Sequence, residues 1–137
     1  MPSFAKAKSG INGLDELTQH IRIGDNVVWQ VDRLADYRYF VGPFVQTALA
    51  NQIPVIYIRF AQHKPLLEKA KGLKVYDLRE VKSFEAFTTR VHDIITEAGR
   101  EVFYVFDSLS DLLELWATDM MIGNFFKIAC PFLYELD

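Results

Sequence analysis

A chain of 137 residues, half of them hydrophobic and 14% aromatic, is one domain by length and large enough for a substantial core. That composition favours a globular class over a disordered one, and a net charge of −3 without a basic run argues against a nucleic-acid partner. The single cysteine, Cys130, rules out an internal disulfide, has no neighbour for a metal site and points to a cytoplasmic compartment. Residues 1–8 lack the apolar stretch of a signal peptide, and no apolar run reaches bilayer-spanning length, so no membrane partner is expected.

Five β-like runs follow one another along the chain, at 26–31, 53–59, 74–77, 102–106 and 132–136. Most are near-continuously apolar, the pattern of strands covered on both faces of a parallel sheet. Gly24-Asp25-Asn26 supplies turn chemistry before the first. Helices are expected at about 37–50, 64–70, 84–98 and 109–126. In the third, Ser83 is placed to cap, Glu85 suits the first-turn dipole, and Gly99 stands where a helix stops. Phe84, Phe87, Val91, Ile94 and Ile95 share one face there, and Leu109, Leu112, Leu113, Trp116 and Met120 form a similar stripe. The alternation implies an α/β fold with βαβ units and a doubly wound sheet. The last run stops inside a strand pattern, so the chain is expected to be a piece of a longer, multidomain protein.

The junction between the first strand run and the helix at 37–50 is where a phosphate-binding loop would sit, yet it contains neither glycine nor lysine. Just before it, Ser9-Gly10-Ile11-Asn12-Gly13-Leu14-Asp15-Glu16-Leu17 resembles the lead-in of RecA/KaiC-type ATPases. That resemblance implies a three-layer α-β-α domain over residues 1–137 with a mainly parallel five-stranded sheet. In it, run 26–31 would lie centrally between 102–106 and 132–136, run 53–59 would pair beyond 102–106, and 74–77 would form an edge.

Registered on the family pattern through Phe40 and Val55–Phe60, the lysine position falls on Tyr37 and the Ser/Thr position on Arg38. Former glycines fall on Val31, Leu34 and Asp36, so every element of the phosphate cradle is replaced. Asp36 is placed to cap the helix beginning near Tyr37, a contact of about 1 kcal/mol. A carboxylate there opposes a phosphate by about 4 kcal/mol per like-charge pair at ~4 Å and an effective dielectric near 20. Ala61 stands where the family's water-activating glutamate would be. The run from Glu101 to Ser110 resembles a Walker B strand ending in Asp107-Ser108. In an active relative that aspartate helps hold magnesium; the structural alternative is that Asp107 and Ser108 cap the helix from Leu109.

A narrower likeness runs from about Ser9 to Asp137. It is carried by 25–40, by Tyr57-Ile58-Arg59-Phe60-Ala61-Gln62-His63, by Phe103–Asp107, by Trp116-Ala117-Thr118-Asp119 and by Gly123-Asn124-Phe125-Phe126. These resemble the amino-terminal domain of bacterial proteins related to phosphoenolpyruvate synthase and pyruvate phosphate dikinase. The resemblance implies a parent phosphotransferase (a kinase class), with downstream domains of the same polypeptide as partners and self-association as a second option. The ATP-grasp and phosphocarrier motifs are absent from the chain, and His20, His63 and His92 lack a phosphocarrier surround. No catalytic residue, metal ligand or cofactor is therefore assigned.

In open α/β sheets ligands gather at the carboxyl ends of the strands. That edge should carry Asp32 and Arg33, 59–63 and 107–110, with Arg38 close by. Arg38, Arg59, His63, Asp107 and Ser108 are the candidate anion or partner site. The alternative is a structural network in which Arg38 or Arg59 pairs with Asp32 or Asp107. His63-Lys64-Pro65 reads as a solvated loop entering a helix, His92 as exposed, and His20 as part of a polar turn. Trp29, Tyr37, Tyr39, Phe40 and Phe44 read as core, and Met120-Met121 as adaptable packing. The function expected is a non-hydrolytic interaction or regulatory domain. Its rivals are a divergent nucleotide-binding ATPase site using Arg38, Arg59 and Asp107, and a small-anion metabolite sensor.

Overall fold

The computed structural model describes residues 8–19, 27–108 and 110–111. In chain order these form α1 (Asn12–Leu17), α2 (Leu34–Ala50), β1 (Val55–Arg59), β2 (Leu73–Asp77), α3 (Phe84–Ala98) and β3 (Phe103–Asp107). The strands make a parallel sheet in the order β2-β1-β3, with Arg59 level with Asp77 on one side and Asp107 on the other. Among the described residues the second and fourth strand runs are therefore adjacent, as expected, with the third at one end of the sheet.

β1 is buried along its whole length because both of its faces are covered. Its alternation sends Ile56 and Ile58 to one side, where they meet Phe87, Val91, Ile94 and Ile95 of α3. Val55 and Tyr57 point the other way and meet Val41, Val45 and Ala48 of α2. Among the described residues the result is an α/β arrangement with a helix on each face of a three-stranded sheet. α3 follows the expected boundaries: Ser83 Oγ accepts from the Ala86 N–H at 3.0 Å, and Gly99 ends the helix at φ 75°.

Several expectations are corrected. Run 26–31 forms no strand over residues 27–31, and Asn26 lies outside the described residues. Residues 27–31 pair with no strand among the described residues, and Val28 is 73% exposed. Trp29 is held instead by stacking on Phe40, with ring centroids 4.4 Å apart. Segment 64–70 forms no helix. Its backbone is drawn to the sheet, the Leu66 N–H donating to the Tyr57 hydroxyl at 3.3 Å, while Leu67 packs on the α2-side core.

The second predicted helix begins earlier than expected, at Leu34 with Arg33 as N-cap. Asp36 thus lies inside the first turn and does not cap it; it pairs with Arg33 at 3.4 Å on the surface. Tyr39, read as core, is 74% exposed, whereas Tyr37 and Phe44 do pack on the α2-side cluster. Ser110 and Asp111 are helical; the rest of 109–126, strand 132–136, His20 and Met120-Met121 lie outside the described residues.

The lead-in Ser9–Leu17 docks on α2 through a glycine. Gly10 has φ +85°, and a Cβ on it would overlap the carbonyl of Pro43, in the middle of α2. Buried Asp15 fixes the approach by accepting from the Ser9 N–H at 2.9 Å, and Ser9 Oγ accepts from the Ile11 N–H at 3.0 Å.

Candidate functional site

The polar centre of the domain lies where β1 and β3 end side by side. β3 is apolar until its last residue, so the register that buries Val105 also delivers the carboxylate of Asp107 to the carboxyl edge with no exposure at all. A buried carboxylate needs partners on both oxygens. Oδ2 accepts from the Tyr57 hydroxyl, and Oδ1 lies 2.8 Å from His63 Nε2. The other ring nitrogen of His63, Nδ1, is 2.7 Å from the Lys64 carbonyl oxygen.

β1 supplies the second half of the cluster. Tyr57 and Arg59 alternate with Ile58, so both side chains leave the same face of the strand. Arg59 is almost wholly buried, its Nη2 donating to the His63 carbonyl while its Nε finds no partner among the described residues. The Asp107 carbonyl oxygen accepts from the N–H groups of Phe60 and Ala61, at 2.9 and 3.1 Å, which sets the direction of the chain leaving β1. His63 is thereby carried back over the sheet end.

Two tyrosines feel this carboxylate. Burial, and then the charge of Asp107, pushes the Tyr37 hydroxyl up to about 12. Tyr57 is also raised, by burial first, then by its hydrogen bond to Asp107 and by that residue's charge. A raised folded value means stability that is complete below the ordinary tyrosine value of 10.0 and is lost as pH climbs through the folded value. Alkaline titration followed by tyrosinate absorbance should therefore show two hydroxyls ionising late. Unfolding should accompany them between about pH 10 and 12, and the Tyr37→Phe variant should lose part of that dependence.

Of the five residues expected to form a site, three come together: Arg59, His63 and Asp107. Arg38 is exposed on α2 and makes no hydrogen bond or ion pair among the described residues. Ser108 turns away, its hydroxyl donating to Asp111 Oδ2 at 2.5 Å at the start of the next helical turn. The helix from Leu109, expected to be capped by Asp107 and Ser108, lies outside the described residues except for Ser110 and Asp111. Among the described residues no arginine pairs with Asp107: Arg59 donates to a backbone carbonyl, and Asp32 is exposed. His63, expected to be solvated, is only 20% exposed in its side chain. His92 is exposed on α3, as expected.

Tyr57 is the member that sequence reasoning missed. Its signal was a hydroxyl-bearing residue inside an otherwise apolar, doubly covered strand, where a buried O–H must find an acceptor. Among the described residues each oxygen of Asp107 and each ring nitrogen of His63 has a hydrogen-bond partner. No group of three or more metal-ligating side chains occurs among the described residues, and no described helix is long and apolar enough to cross a membrane. No family model, curated protein or solved structure matches this chain.

Proposed function

We infer that this chain is a RecA/KaiC-like domain that does not hydrolyse nucleotide. It serves as an interaction or regulatory module of a phosphotransferase of the pyruvate phosphate dikinase or phosphoenolpyruvate synthase type. One observation carries the non-hydrolytic part: Asp107, at the position a magnesium ligand would take, is fully buried with Tyr57 and His63 on its two oxygens. Tyr37 and Arg38 in place of the phosphate-binding lysine and hydroxyl residue support it from the sequence. The strand order β2-β1-β3 agrees with the fold part of the reading. The tie to a phosphotransferase rests on the sequence resemblance, with downstream domains of the same polypeptide, or a second copy, as the partners.

A second reading, a small-anion sensor, is favoured by Arg59, whose buried Nε has no acceptor among the described residues. Calorimetric titration of the chain with MgATP, ADP, phosphoenolpyruvate and pyruvate separates the readings. The interaction module gives no saturable heat with any of them. Binding of only a carboxylate or phosphate metabolite establishes the sensor, and MgATP binding with turnover overturns the non-hydrolytic assignment.

A further inference from the structure

Among the described residues β2 pairs with β1 alone, so its other edge carries backbone groups with no strand beside them. Two hydrogen bonds fix which groups those are. The Val55 N–H donates to the Gly72 carbonyl at 3.0 Å, and the Leu78 N–H donates to the Arg59 carbonyl at 2.7 Å. The even-numbered residues of this stretch therefore face β1. By alternation the N–H and C=O of Val75, the Leu73 C=O and the Asp77 N–H face outward. The Leu73 N–H closes a turn on the Ala70 carbonyl at 3.2 Å. Val75 is 43% exposed, and Lys74 and Asp77 are exposed beside it.

This edge is basic in an acidic chain. Residues 69–79 hold Lys69, Lys71, Lys74 and Arg79, all exposed, against Asp77 alone, while the whole chain carries a net charge of −3. Asp77 is itself neutralised by Arg79, whose Nη2 donates to Oδ2 at 2.5 Å. On the α3 side of β2, Lys74 Nζ and Arg90 Cζ stand 5.0 and 5.4 Å from the centre of the Tyr76 ring. Neither cation is ion-paired among the described residues. On the opposite side Val75 offers apolar surface next to Leu73, which packs on the α2-side core.

We propose that the outer edge of β2 takes an extended, acidic segment of a partner protein as an added strand. Residues 73, 75 and 77 supply the backbone hydrogen bonds. Carboxylates on one face of the added strand meet Lys74 and Arg90, and an apolar side chain on its other face meets Val75. A second copy of this chain is opposed, because antiparallel pairing centred on Val75 sets Lys71 of each copy against Arg79 of the other. The lysines that keep copies apart thus select a strand of opposite charge. The surface stands independently of nucleotide chemistry and of the phosphotransferase assignment.

Nuclear magnetic resonance of the whole chain tests this, by titration with a blocked peptide of about seven residues that alternates glutamate and valine. Saturable shifts centred on β2 are expected. The Val75 and Asp77 amides should gain about tenfold or more in protection from hydrogen exchange, while the Lys74 and Tyr76 amides, which face β1, should change little. Lys74→Glu, at an exposed position, should weaken binding of this peptide about tenfold and strengthen binding of a lysine–valine counterpart. The glutamate–valine peptide with its backbone amides N-methylated keeps its charge, loses its strand donors and should not bind.

No saturable binding of the glutamate–valine peptide overturns the proposal. Equal affinity for the lysine–valine or the N-methylated peptide overturns it too, as does unchanged affinity in Lys74→Glu. So does a Val75 amide already strongly protected in the free chain, which would mean that another segment of this chain, or a second copy, covers the edge.

Discussion

Asp107→Ala is expected to destabilise the domain by about 3–5 kcal/mol, seen as a lowered urea midpoint at nearly constant slope. The size follows from what the substitution leaves behind. The Tyr57 hydroxyl and the His63 Nε2 both face the fully buried Asp107 carboxylate, and each loses that partner. Asp107→Asn keeps an acceptor for Tyr57 and a partner for His63, so it should cost much less. This contrast distinguishes a structural carboxylate from a metal ligand, because the loss appears in metal-free buffer. A cost under about 1 kcal/mol for the alanine variant would mean that the cluster contributes little and that the region is wetter than described here.

Phe87→Ala should have an effect of the same order, about 3–5 kcal/mol, by a different mechanism. Phe87 is fully buried between α3 and the sheet, edge-on to Phe60 at 4.9 Å and stacked with Phe84 at 6.1 Å. Truncation removes apolar contact on the side of the sheet that α3 covers, and β1 and β3 cannot collapse to fill the void. Thermal unfolding followed by circular dichroism reads the change. Tyr39→Ala, at an exposed position of α2, serves as the contrast and should stay within about 0.5 kcal/mol of the parent protein.

The parts of the fold legible in the sequence are those whose signals are local. α3 carries a cap, a 3.6-residue apolar stripe and a terminating glycine, and the structure follows all three. β1 and β3 are short apolar runs bounded by polar residues, and their pairing needs only that both be buried. Residues 27–31 have the same composition but pair with no strand among the described residues, and composition alone did not decide them. Segment 64–70 was misread because Leu66 and Leu67 suggested a helix, whereas the attachment of Leu66 to Tyr57 is a tertiary effect invisible at short range.

The candidate site was half legible for the same reason. Asp107 announced itself by ending an apolar strand, and Arg59 likewise. The contact between His63 and Asp107 spans a separation of 44 residues and depends on the register of two strands and the path of a loop. Nothing in the residue types near His63 specifies that path. The Asp107 carbonyl that receives both Phe60 and Ala61 does.

The seat of Gly10 on Pro43 has a consequence for anyone altering α2. A proline in mid-helix is ordinarily a local matter, a missing donor and a bend. Here the carbonyl at that position is also the footing for a segment more than thirty residues earlier, about one turn of backbone that only a side-chain-free residue can bring so near. The two positions form a single thermodynamic unit, so damage at one is partly spent before the other is touched, and their double variant should fall short of the sum of the singles. A library that diversifies the helix while leaving residue 10 fixed would be sampling one half of a matched pair.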